Sequence, residues 1–318
     1  MQYDQHLHTQ PWGDYELLDS GDGMKLERFG DVVVARPETQ ALWSKLRPEL
    51  WKTAHAEFAF HEKKGEWHVK KSVPAKAPVA GARPTTSFAG RDGESWQISW
   101  NAVRLLVRLT GFKHTGLFPE QAPNWQWLSE RCRDIVHPAS DVGHSMSHMP
   151  QVLNLFGYTG VASLAAGHAG AFVTHVDASK QSLDWAHENA RLSEIPEGRI
   201  RWMLDDALAF AKREARRGAK YDGIILDPPA FGRGAKGEVW KIEENLPALL
   251  ASLKELLSEK SGSFFLLNGY AAGYAPRSFA QAVESAFGEI GGECGELLIR
   301  ESASERVVPA GIYVRFAR

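Results

Sequence analysis

The motif DPPAF, residues 227–231, follows an apolar run that is typical of a buried strand. Pro228 and Pro229 fix their own φ and restrict the residues before them, so the Asp227 carboxylate is held rigidly at the strand end. Such an acceptor binds N–H groups, and Phe231 adds a flat apolar face on which a ring stacks. A purely structural turn would not explain an acid between an apolar strand and two prolines. We predict four substrate-facing, catalytic residues: Asp227, Pro228, Pro229 and Phe231.

A second motif, FGYTG, follows the apolar run VLNL and precedes small apolar residues at helical spacing. This order predicts a buried strand, a tight glycine turn and a helix. Glycine is needed where a backbone turns sharply or approaches a ligand closely, because a Cβ blocks both. Plain packing of a strand against a helix would also explain the glycines of this stretch taken alone. We predict a cofactor loop formed by Phe156, Gly157, Tyr158, Thr159 and Gly160.

The next strand pattern decides between these two interpretations. It runs from Ala171 to Val176 and ends at Asp177, twenty positions after Gly157. A doubly wound fold places an acid here to accept hydrogen bonds from ribose hydroxyls, so Asp177 and the following Ala178 are predicted to bind a cofactor. The loop lacks the third glycine of the pyrophosphate-binding pattern G-x-G-x-x-G. The pattern therefore favours an adenosyl cofactor without phosphates over a dinucleotide.

A third strand pattern, Arg199 to Leu204, runs into Asp205 and Asp206 at the start of a helix. The Asp206 carboxylate is suited to accept an adenine amino group, while the backbone N–H of Ala207 meets a ring nitrogen. N-capping of the helix is the alternative role for Asp206, and Asp205 could equally supply the cap. Because the carboxyl ends of parallel strands meet at one edge of a sheet, one ligand could contact all of these predicted site residues.

These residues require a parallel sheet to bring them together. From residue 150 onward, strand and helix patterns alternate, and the last two β runs, GELLIR and GIYVRFA, suit an antiparallel edge on a mostly parallel, doubly wound α/β sheet. From Tyr15 to about Leu109, short β runs separated by turn residues predict a smaller β-rich domain. The proline-rich stretch Val73 to Pro84 is predicted to be an extended connector. The segment Thr110 to Trp127, with its glycine and proline breaks and its aromatic residues, is predicted to be a loop, either a cover for a cofactor or a hydrophobic plug between domains. We predict domains at residues 1–112 and 113–318.

The composition is that of an ordinary globular chain of 318 residues, 43% hydrophobic, with a net charge of −2. The start is polar and no apolar run is long enough to span a membrane, so a cytoplasmic protein without membrane contact is expected. Its two cysteines and twelve histidines show no metal-ligand spacing, so no metal site is predicted. Basic and aromatic residues alternate between Lys52 and Arg83; either an RNA-facing strip or a solvated hairpin face would explain them.

Together with the segments TGLFPEQA, VDAS, DWAHENA and LDD, the motifs NLFGYTG and DPPAF resemble one known family from about Thr115 to the C-terminus. They are similar to class I S-adenosylmethionine-dependent methyltransferases related to the bacterial 23S ribosomal RNA large-subunit methyltransferases. The resemblance implies a seven-stranded Rossmann-like sheet and S-adenosylmethionine as cofactor. It also implies RNA, with ribosomal RNA foremost, as substrate, and it carries the loop, ribose, adenine and DPP-x-F roles onto the residues named above.

One departure from that family bears on the chemistry. Members that methylate cytosine C5 carry a nucleophilic cysteine just after the strand that corresponds to Ser263 to Leu267, because a thiolate must first add to C6. Here the stretch continues as Leu267-Asn-Gly-Tyr270, without cysteine. Direct transfer to a base nitrogen is therefore expected. A protein or small-molecule substrate is the alternative, while an NAD-linked oxidoreductase is disfavoured by the missing glycine and a binding module without turnover by the intact DPPAF motif.

Overall fold

In the computed structural model, the structure describes residues 1–61, 64–71, 95–137, 148–233, 237–270 and 273–318. The predicted connector at Val73 to Pro84 lies outside the described residues, as does the second half of the basic and aromatic strip. No helix within the described ranges is both long and apolar enough to cross a membrane.

The regular elements of the described residues, in chain order, are as follows. The strands are β1 (Gln2–Thr9), β2 (Tyr15–Gly21), β3 (Met24–Phe29), β4 (Val32–Pro37), β5 (Ala56–His61), β6 (Lys64–Val69), β7 (Ser95–Trp100), β8 (Val103–Arg108), β9 (Gln151–Leu155), β10 (Phe172–Asp177), β11 (Ile200–Leu204), β12 (Gly223–Leu226), β13 (Phe231–Arg233), β14 (Val239–Lys241), β15 (Phe264–Gly269), β16 (Gly292–Arg300) and β17 (Val307–Ala317). The helices are α1 (Ala122–Val136), α2 (Val161–His168), α3 (Lys180–Leu192), α4 (Ala207–Arg216), α5 (Ile242–Leu256) and α6 (Pro276–Phe287), with short 3-10 turns at Leu50–Thr53 and Pro119–Gln121.

Tertiary contacts group the chain into two compact units, and each is discontinuous in sequence. The larger comprises Met1–Leu7, Gln121–Leu297 and Ala310–Arg318, and the smaller comprises His8–Glu120 and Leu298–Pro309. A division into domains 1–112 and 113–318 cuts the chain only once, whereas each of the two units is made of separate stretches of sequence. The single boundary stays a prediction.

The main sheet lies in the larger unit and has the strand order β1-β16-β17-β15-β12-β9-β10-β11. Strands β15, β12, β9, β10 and β11 pair in parallel, and β17 pairs antiparallel to β15. The mostly parallel, doubly wound α/β fold with an antiparallel edge is thus confirmed. The strand count of seven is wrong, because β1 adds an eighth strand beside β16. An edge strand is held through its backbone along one side, so the polar sequence QYDQHLHT gave no apolar signal.

Helices cover both faces of this sheet, which explains the continuous apolar runs of its central strands. Leu153, Ile224 and Phe265 are fully buried, as expected where a parallel sheet is covered on each side. Helix α3 begins after Ser179, whose Oγ accepts a hydrogen bond of 3.1 Å from the backbone N–H of Ser182. Because the central strands are parallel, their carboxyl ends all lie at the same edge of this covered sheet.

Helix α1 lies where the aromatic segment Thr110 to Trp127 reads as a loop from the sequence, so that interpretation is wrong for its second half. Pro123 stands in the first turn of the helix, where proline costs nothing because its N–H would be unpaired in any case. Trp125, Leu128 and Cys132 form the buried face that stabilises the helix.

The smaller unit holds a five-stranded sheet of order β2-β3-β4-β5-β6 and the β7–β8 hairpin, which confirms a smaller β-rich part. A buried ion pair stands inside it, where Arg36 Nη2 donates to Glu27 Oε1 at 2.9 Å. Tyr15 Oη donates to the same oxygen at 2.9 Å. Burial by itself would raise the pKa of Glu27, but Arg36 and Lys25 outweigh it and lower that pKa to about 2.

Candidate active site

The register of the sheet aligns the strand ends that carry the predicted site. Leu155 of β9 lies level with Val176 on one side and with Leu226 on the other. Asp177 lies level with Leu204 at the next interface. The glycine loop, Asp177, Asp206 and Asp227 therefore follow four neighbouring strands at one edge, as the parallel-sheet argument requires.

The loop after β9 has a backbone conformation that is unusual for its residue types. Phe156 and Tyr158 are not glycines, yet their φ angles are 55° and 50°, and Gly160 follows with a φ of 92°. Left-handed non-glycine residues are uncommon and persist only where their surroundings over-determine them. The surroundings include Asn189, whose Nδ2 donates to the carbonyl of Thr159 at 2.9 Å. The loop is thus a strained and tightly held segment, of the kind that clusters at ligand sites.

Gly157 has a different reason for being glycine than close approach to a ligand. A Cβ built on it would lie 2.3 Å from Cε1 of His175, which stands beneath the loop on β10. His175 is fully buried, and its Nδ1 lies 2.9 Å from Ser163 Oγ. Burial lowers the pKa of this imidazole to about 3, so the ring is neutral at physiological pH. Gly157 therefore allows the loop to lie flat on a buried ring.

Asp177 is both a support for the loop and a candidate acceptor for a ligand. Its Oδ2 accepts the backbone N–H of Tyr158 at 2.9 Å, and its Oδ1 accepts that of Ser179 at 2.8 Å. Burial raises the pKa of Asp177, while the two backbone donors lower it to a smaller extent. Since each carboxylate oxygen can accept two hydrogen bonds, both oxygens keep a lone pair for ribose hydroxyls. Ala178, the next residue, is partly exposed beside them.

Asp206 is the N-cap of α4, so the capping role that the sequence left open belongs to it. Its Oδ1 accepts the backbone N–H of Ala209 at 2.8 Å, whereas Asp205 pairs with Arg213 at 2.5 Å. Capping uses one oxygen and leaves the other for an amino group, and Ala207 stands at the first helical position with its N–H at the helix start. The role of Asp206 and Ala207 in cofactor binding stays a prediction.

Leu204 is a further residue at this edge that the sequence analysis did not single out. It ends β11 next to Asp177 and is 49% exposed, which is unusual for a leucine at the end of a parallel strand. Its apolar surface is suited to contact a flat base. The one sequence signal for an exposed Leu204 is that the apolar pattern of β11 stops there, directly before Asp205 and Asp206.

The turn after β12 places an acid in a poorly solvated position. Asp227 is partly buried, and its Oδ2 accepts a hydrogen bond of 2.6 Å from Nε2 of Gln121. Burial raises the pKa of Asp227 to about 6, and the donor from Gln121 works in the opposite direction. Pro228 is buried, Pro229 is exposed, and Phe231 has 54% of its surface exposed at the start of β13. The turn thus joins a rigid acceptor to an uncovered aromatic ring.

Trp240 connects this turn to the glycine loop, and sequence reasoning missed it. Its Nε1 donates to the carbonyl of Pro229 at 2.7 Å, while its ring meets the ring of Phe156 edge-on with centroids 4.8 Å apart. The side chain is 5% exposed. One buried indole therefore sets the position of both candidate segments, through contacts that no local pattern reveals.

Neither cysteine lies at the site edge. Cys132 is in α1 and Cys294 in β16, and both are fully buried. Burial raises the pKa of the Cys132 thiol to about 12, which opposes thiolate formation. Asn268 follows Leu267 in β15, in the stretch where the C5-methylating family members carry their nucleophilic cysteine. Its side chain contacts Gln121.

Comparison with known proteins finds one family model and several solved structures that are similar to this chain. A family model described as S-adenosylmethionine-dependent methyltransferase matches residues 80–275. The solved structure of a SAM-dependent methyltransferase from Agrobacterium tumefaciens is 38% identical, with a TM-score of 0.85, and the match covers 99% of this chain and 95% of that one.

Two further relatives are more distant or more partial. The solved structure of a methyltransferase complexed with SAH has a TM-score of 0.66 at 20% identity, covering 96% of this chain and 76% of that one, which shows the fold. A ribosomal RNA large subunit methyltransferase K/L from Syntrophotalea carbinolica is 35% identical over 142 residues, or 44% of this chain. That match spans only 17% of the relative's length.

Proposed function

Because the chain belongs to the S-adenosylmethionine-dependent methyltransferase family, we propose that it methylates a base nitrogen of RNA, with ribosomal RNA as the substrate. S-adenosylmethionine supplies, when bound, a methyl group activated by a positively charged sulfur. The observation that carries the proposal is the turn from Asp227 to Phe231, which combines a rigid carboxylate with an exposed ring. We place the enzyme in the cytoplasm, where RNA and the cofactor are both available.

The strand-end residues fit the cofactor. Asp177 has a lone pair on each oxygen for ribose hydroxyls, and Leu204 offers exposed apolar surface one strand away. Asp206 and the N–H of Ala207 are the proposed partners of the adenine edge. The Phe156 to Gly160 loop would hold the remainder of the cofactor between these acids and Asp227.

Asp227 is the proposed catalytic group. For an exocyclic amine, its carboxylate and the carbonyl of Pro228 accept hydrogen bonds from the amine and direct the nitrogen lone pair toward the methyl group. The proton that the amine loses on transfer passes to the Asp227 carboxylate, and S-adenosylhomocysteine is the leaving group. For guanine N7 no proton leaves, and Asp227 orients the base alone. In both cases the rate gain comes mainly from alignment of nitrogen, methyl and sulfur, which a rigid turn favours. Phe231 stacks on the base and holds it in plane.

Direct transfer is supported by the state of the two cysteines. A C5 mechanism needs a thiolate within reach of the base. Cys132 in α1 and Cys294 in β16 are fully buried, and the stretch after Leu267 contains no cysteine. Nitrogen needs no covalent activation, so the available groups suffice.

RNA as the substrate is supported by one named relative and by the exposed ring of Phe231. The partial relative is described as a ribosomal RNA methyltransferase, although it matches over a small part of its own length. Base stacking on an aromatic side chain contributes about 1 to 3 kcal/mol and is tolerant of sequence. A protein or small-molecule substrate is the competing outcome of the test below.

The test is single-turnover transfer of radiolabelled methyl groups to deproteinised ribosomal RNA, followed by nucleoside analysis. We expect label in a base-methylated nucleoside, a slower chemical step for Asp227→Asn at saturating cofactor, and RNA binding weakened by about 1 to 3 kcal/mol for Phe231→Ala. Phe112→Ala is the matched control, since Phe112 is also a highly exposed phenylalanine. No label in RNA, with label in the protein or small-molecule fraction of a cell extract assayed in parallel, would refute the substrate, and wild-type rates in both variants would refute the site.

A further inference from the structure

A row of three side-chain amides connects Arg315 to Asp227 inside the larger unit. Arg315 Nη1 donates to Asn124 Oδ1 at 2.9 Å, and Asn124 Nδ2 donates to Asn268 Oδ1 at 2.7 Å. Asn268 Nδ2 approaches Gln121 Oε1 at 3.5 Å. Gln121 Nε2 then donates to Asp227 at 2.6 Å. The row thus joins a cation on β17 to the candidate catalytic carboxylate.

The direction of every hydrogen bond in this row is set by its first member. A guanidinium has donors only, so the atom of Asn124 that faces Arg315 must be its oxygen. The amino group of Asn124 then points at Asn268, whose oxygen must accept, and the same step repeats at Gln121. The amide of Gln121 is thereby oriented with its N–H toward Asp227, although an isolated amide could turn either way.

The first members of the row are fixed in place by their surroundings. Arg315 Nε donates to Glu293 Oε1 at 2.6 Å, and its guanidinium lies 5.0 Å from the ring centroid of Trp127. Asn124 and Asn268 are 0% and 2% exposed. Buried polar groups that are satisfied in this way form rigid networks. The orientation of Gln121 is therefore built into the core, and it does not depend on a ligand.

The Asp227 carboxylate depends on this one donor. Across the ranges that the structure describes, Gln121 is its single hydrogen-bond partner, and that bond occupies Oδ2. The flanking strands β9 and β15 carry no ionisable side chain. On the hairpin and helix that follow the turn, Lys241 pairs with Glu244 and Glu243 pairs with Tyr274. The other charged residues described there are Arg233, Glu238, Lys254 and Glu255. Burial and the Gln121 hydrogen bond set the pKa of Asp227, and no charged group within the described ranges contributes to it.

We propose that Gln121 is a positioning residue for the methyl transfer, held by the Asn268, Asn124 and Arg315 row so that it keeps Asp227 ionised and engages one of its oxygens. The other oxygen is left to accept a hydrogen from the substrate nitrogen. This inference rests on the proposed role of Asp227, which it deepens. Gln121 contacts neither substrate nor cofactor in this scheme and acts through Asp227 alone.

The consequence is a shift in the titration of Asp227 that a merely structural glutamine would not produce. Burial raises the pKa of Asp227 to about 6, and the Gln121 donor opposes that rise. A hydrogen bond to an anion stabilises the anion, so removal of the Gln121 donor should raise this pKa by about one unit or more. At neutral pH a large fraction of Asp227 would then be protonated, and a neutral carboxyl group accepts hydrogen bonds more weakly and cannot take up a proton.

The experiment is carbon-13 NMR of the full chain with labelled aspartate carboxyl groups, where the Asp227 signal is assigned by its loss in Asp227→Asn. We expect a titration near pH 6 in the wild type and a rise of about one unit or more in Gln121→Leu. Gln126→Leu is the matched control, because Gln126 is an exposed glutamine of α1, the helix that begins directly after Gln121, and its Nε2 donates to Glu130 Oε1 at 2.7 Å. We expect no shift in that control.

Gln121→Glu serves as the second variant, because it keeps the side-chain shape if the leucine variant does not fold. A second carboxylate beside Asp227 should raise its pKa still further. An Asp227 titration unchanged from the wild type in either folded variant overturns the proposal. The NMR readout needs no substrate, so failure of the wild type to methylate ribosomal RNA would refute the proposed function and leave the Gln121 result standing. Where methyl transfer is observed, the acid limb of its single-turnover rate should move with the NMR titration.

Discussion

A single methyl group added at Gly157 should damage cofactor binding without touching the cofactor. A Cβ at this position would lie 2.3 Å from His175 Cε1 and 2.6 Å from its Nδ1, whereas ordinary contact begins near 3.4 Å. The overlap is therefore about 1 Å, and the ring has little room to yield. It is fully buried, bonded to Ser163 and packed against Trp202 with ring centroids 4.9 Å apart.

The loop must therefore lift away from β10 in Gly157→Ala, and it carries Tyr158 with it. The hydrogen bond from the Tyr158 backbone N–H to Asp177 would lengthen or break. Overpacking of this kind costs about 1 to 3 kcal/mol of unfolding free energy. The free protein relieves this strain when the loop lifts, whereas cofactor binding requires the loop to return to its place. The affinity for S-adenosylhomocysteine should therefore fall by about 5- to 150-fold, since each 1.4 kcal/mol is a factor of ten.

Calorimetric titration with S-adenosylhomocysteine and urea unfolding would measure the two effects separately. Gly291→Ala is the matched control, because an added Cβ there meets nothing within 4 Å and the residue has no positive φ. His175→Ala in the Gly157→Ala background removes the overlapping ring, so the two substitutions should be strongly non-additive. Wild-type affinity and stability in Gly157→Ala, or strict additivity in the double variant, would show that the loop does not rest on His175 as described.

Other outcomes follow from the same geometry. Asp177→Ala removes an acceptor and leaves the loop donors unpaired, so S-adenosylhomocysteine should bind about 1 to 3 kcal/mol more weakly by calorimetry; unchanged affinity would contradict the ribose assignment. Replacing Cys132 and Cys294 by Ala should leave the single-turnover transfer rate within about tenfold, because no thiolate takes part; a covalent complex trapped on RNA containing 5-fluorocytosine would disprove this. The pKa of Glu27 lies near 2 in the fold against an ordinary value of 4.5, so its stabilising effect is present above pH 4.5 and is lost as the pH falls toward 2. Glu27→Gln, which leaves Arg36 unpaired, should cost about 3 to 5 kcal/mol in urea unfolding at pH 7 and much less near pH 2; equal costs at both pH values would argue against the ion pair.

The site edge could be predicted because it depends on local patterns and one general rule. Apolar runs that end in glycine or aspartate mark the ends of β9, β10, β11 and β12, and parallel pairing brings those ends to one edge. The register places Leu155 level with Val176 and Leu226, so no further information was needed to bring the four segments together. Helix starts were likewise local, as the Ser179 cap shows.

The contacts that refine the site could not be predicted in this way, because they join distant parts of the chain. Gln121 and Asp227 are 106 residues apart, and Trp240 reaches Phe156 across several elements. The glycine at position 157 was expected for a local reason, but it is required by a histidine on the neighbouring strand. Side-chain packing between distant elements determines which residue is required at such positions. The hydrophobic periodicity of the sequence does not reveal that packing.

The two wrong element assignments have the same origin. Strand β1 has a polar sequence and is stabilised by its neighbour β16 at the sheet edge. Helix α1 starts at a Gln-Ala-Pro sequence without an N-cap side chain, and burial of Trp125 stabilises it. In both cases tertiary contacts override weak local preferences.

The position of β1 beside β16 also bears on how the protein is made. Residues 2–9 are synthesised long before the strand that they pair with, Gly292–Arg300. At synthesis rates of about 5 to 20 residues per second, the first strand waits on the order of 15 to 60 s for its partner. Strand β17, which stands between β16 and β15, emerges later still. The parallel strands that carry the site can pair before β16 and β17 are made, whereas this edge of the sheet closes only after both of those strands have emerged.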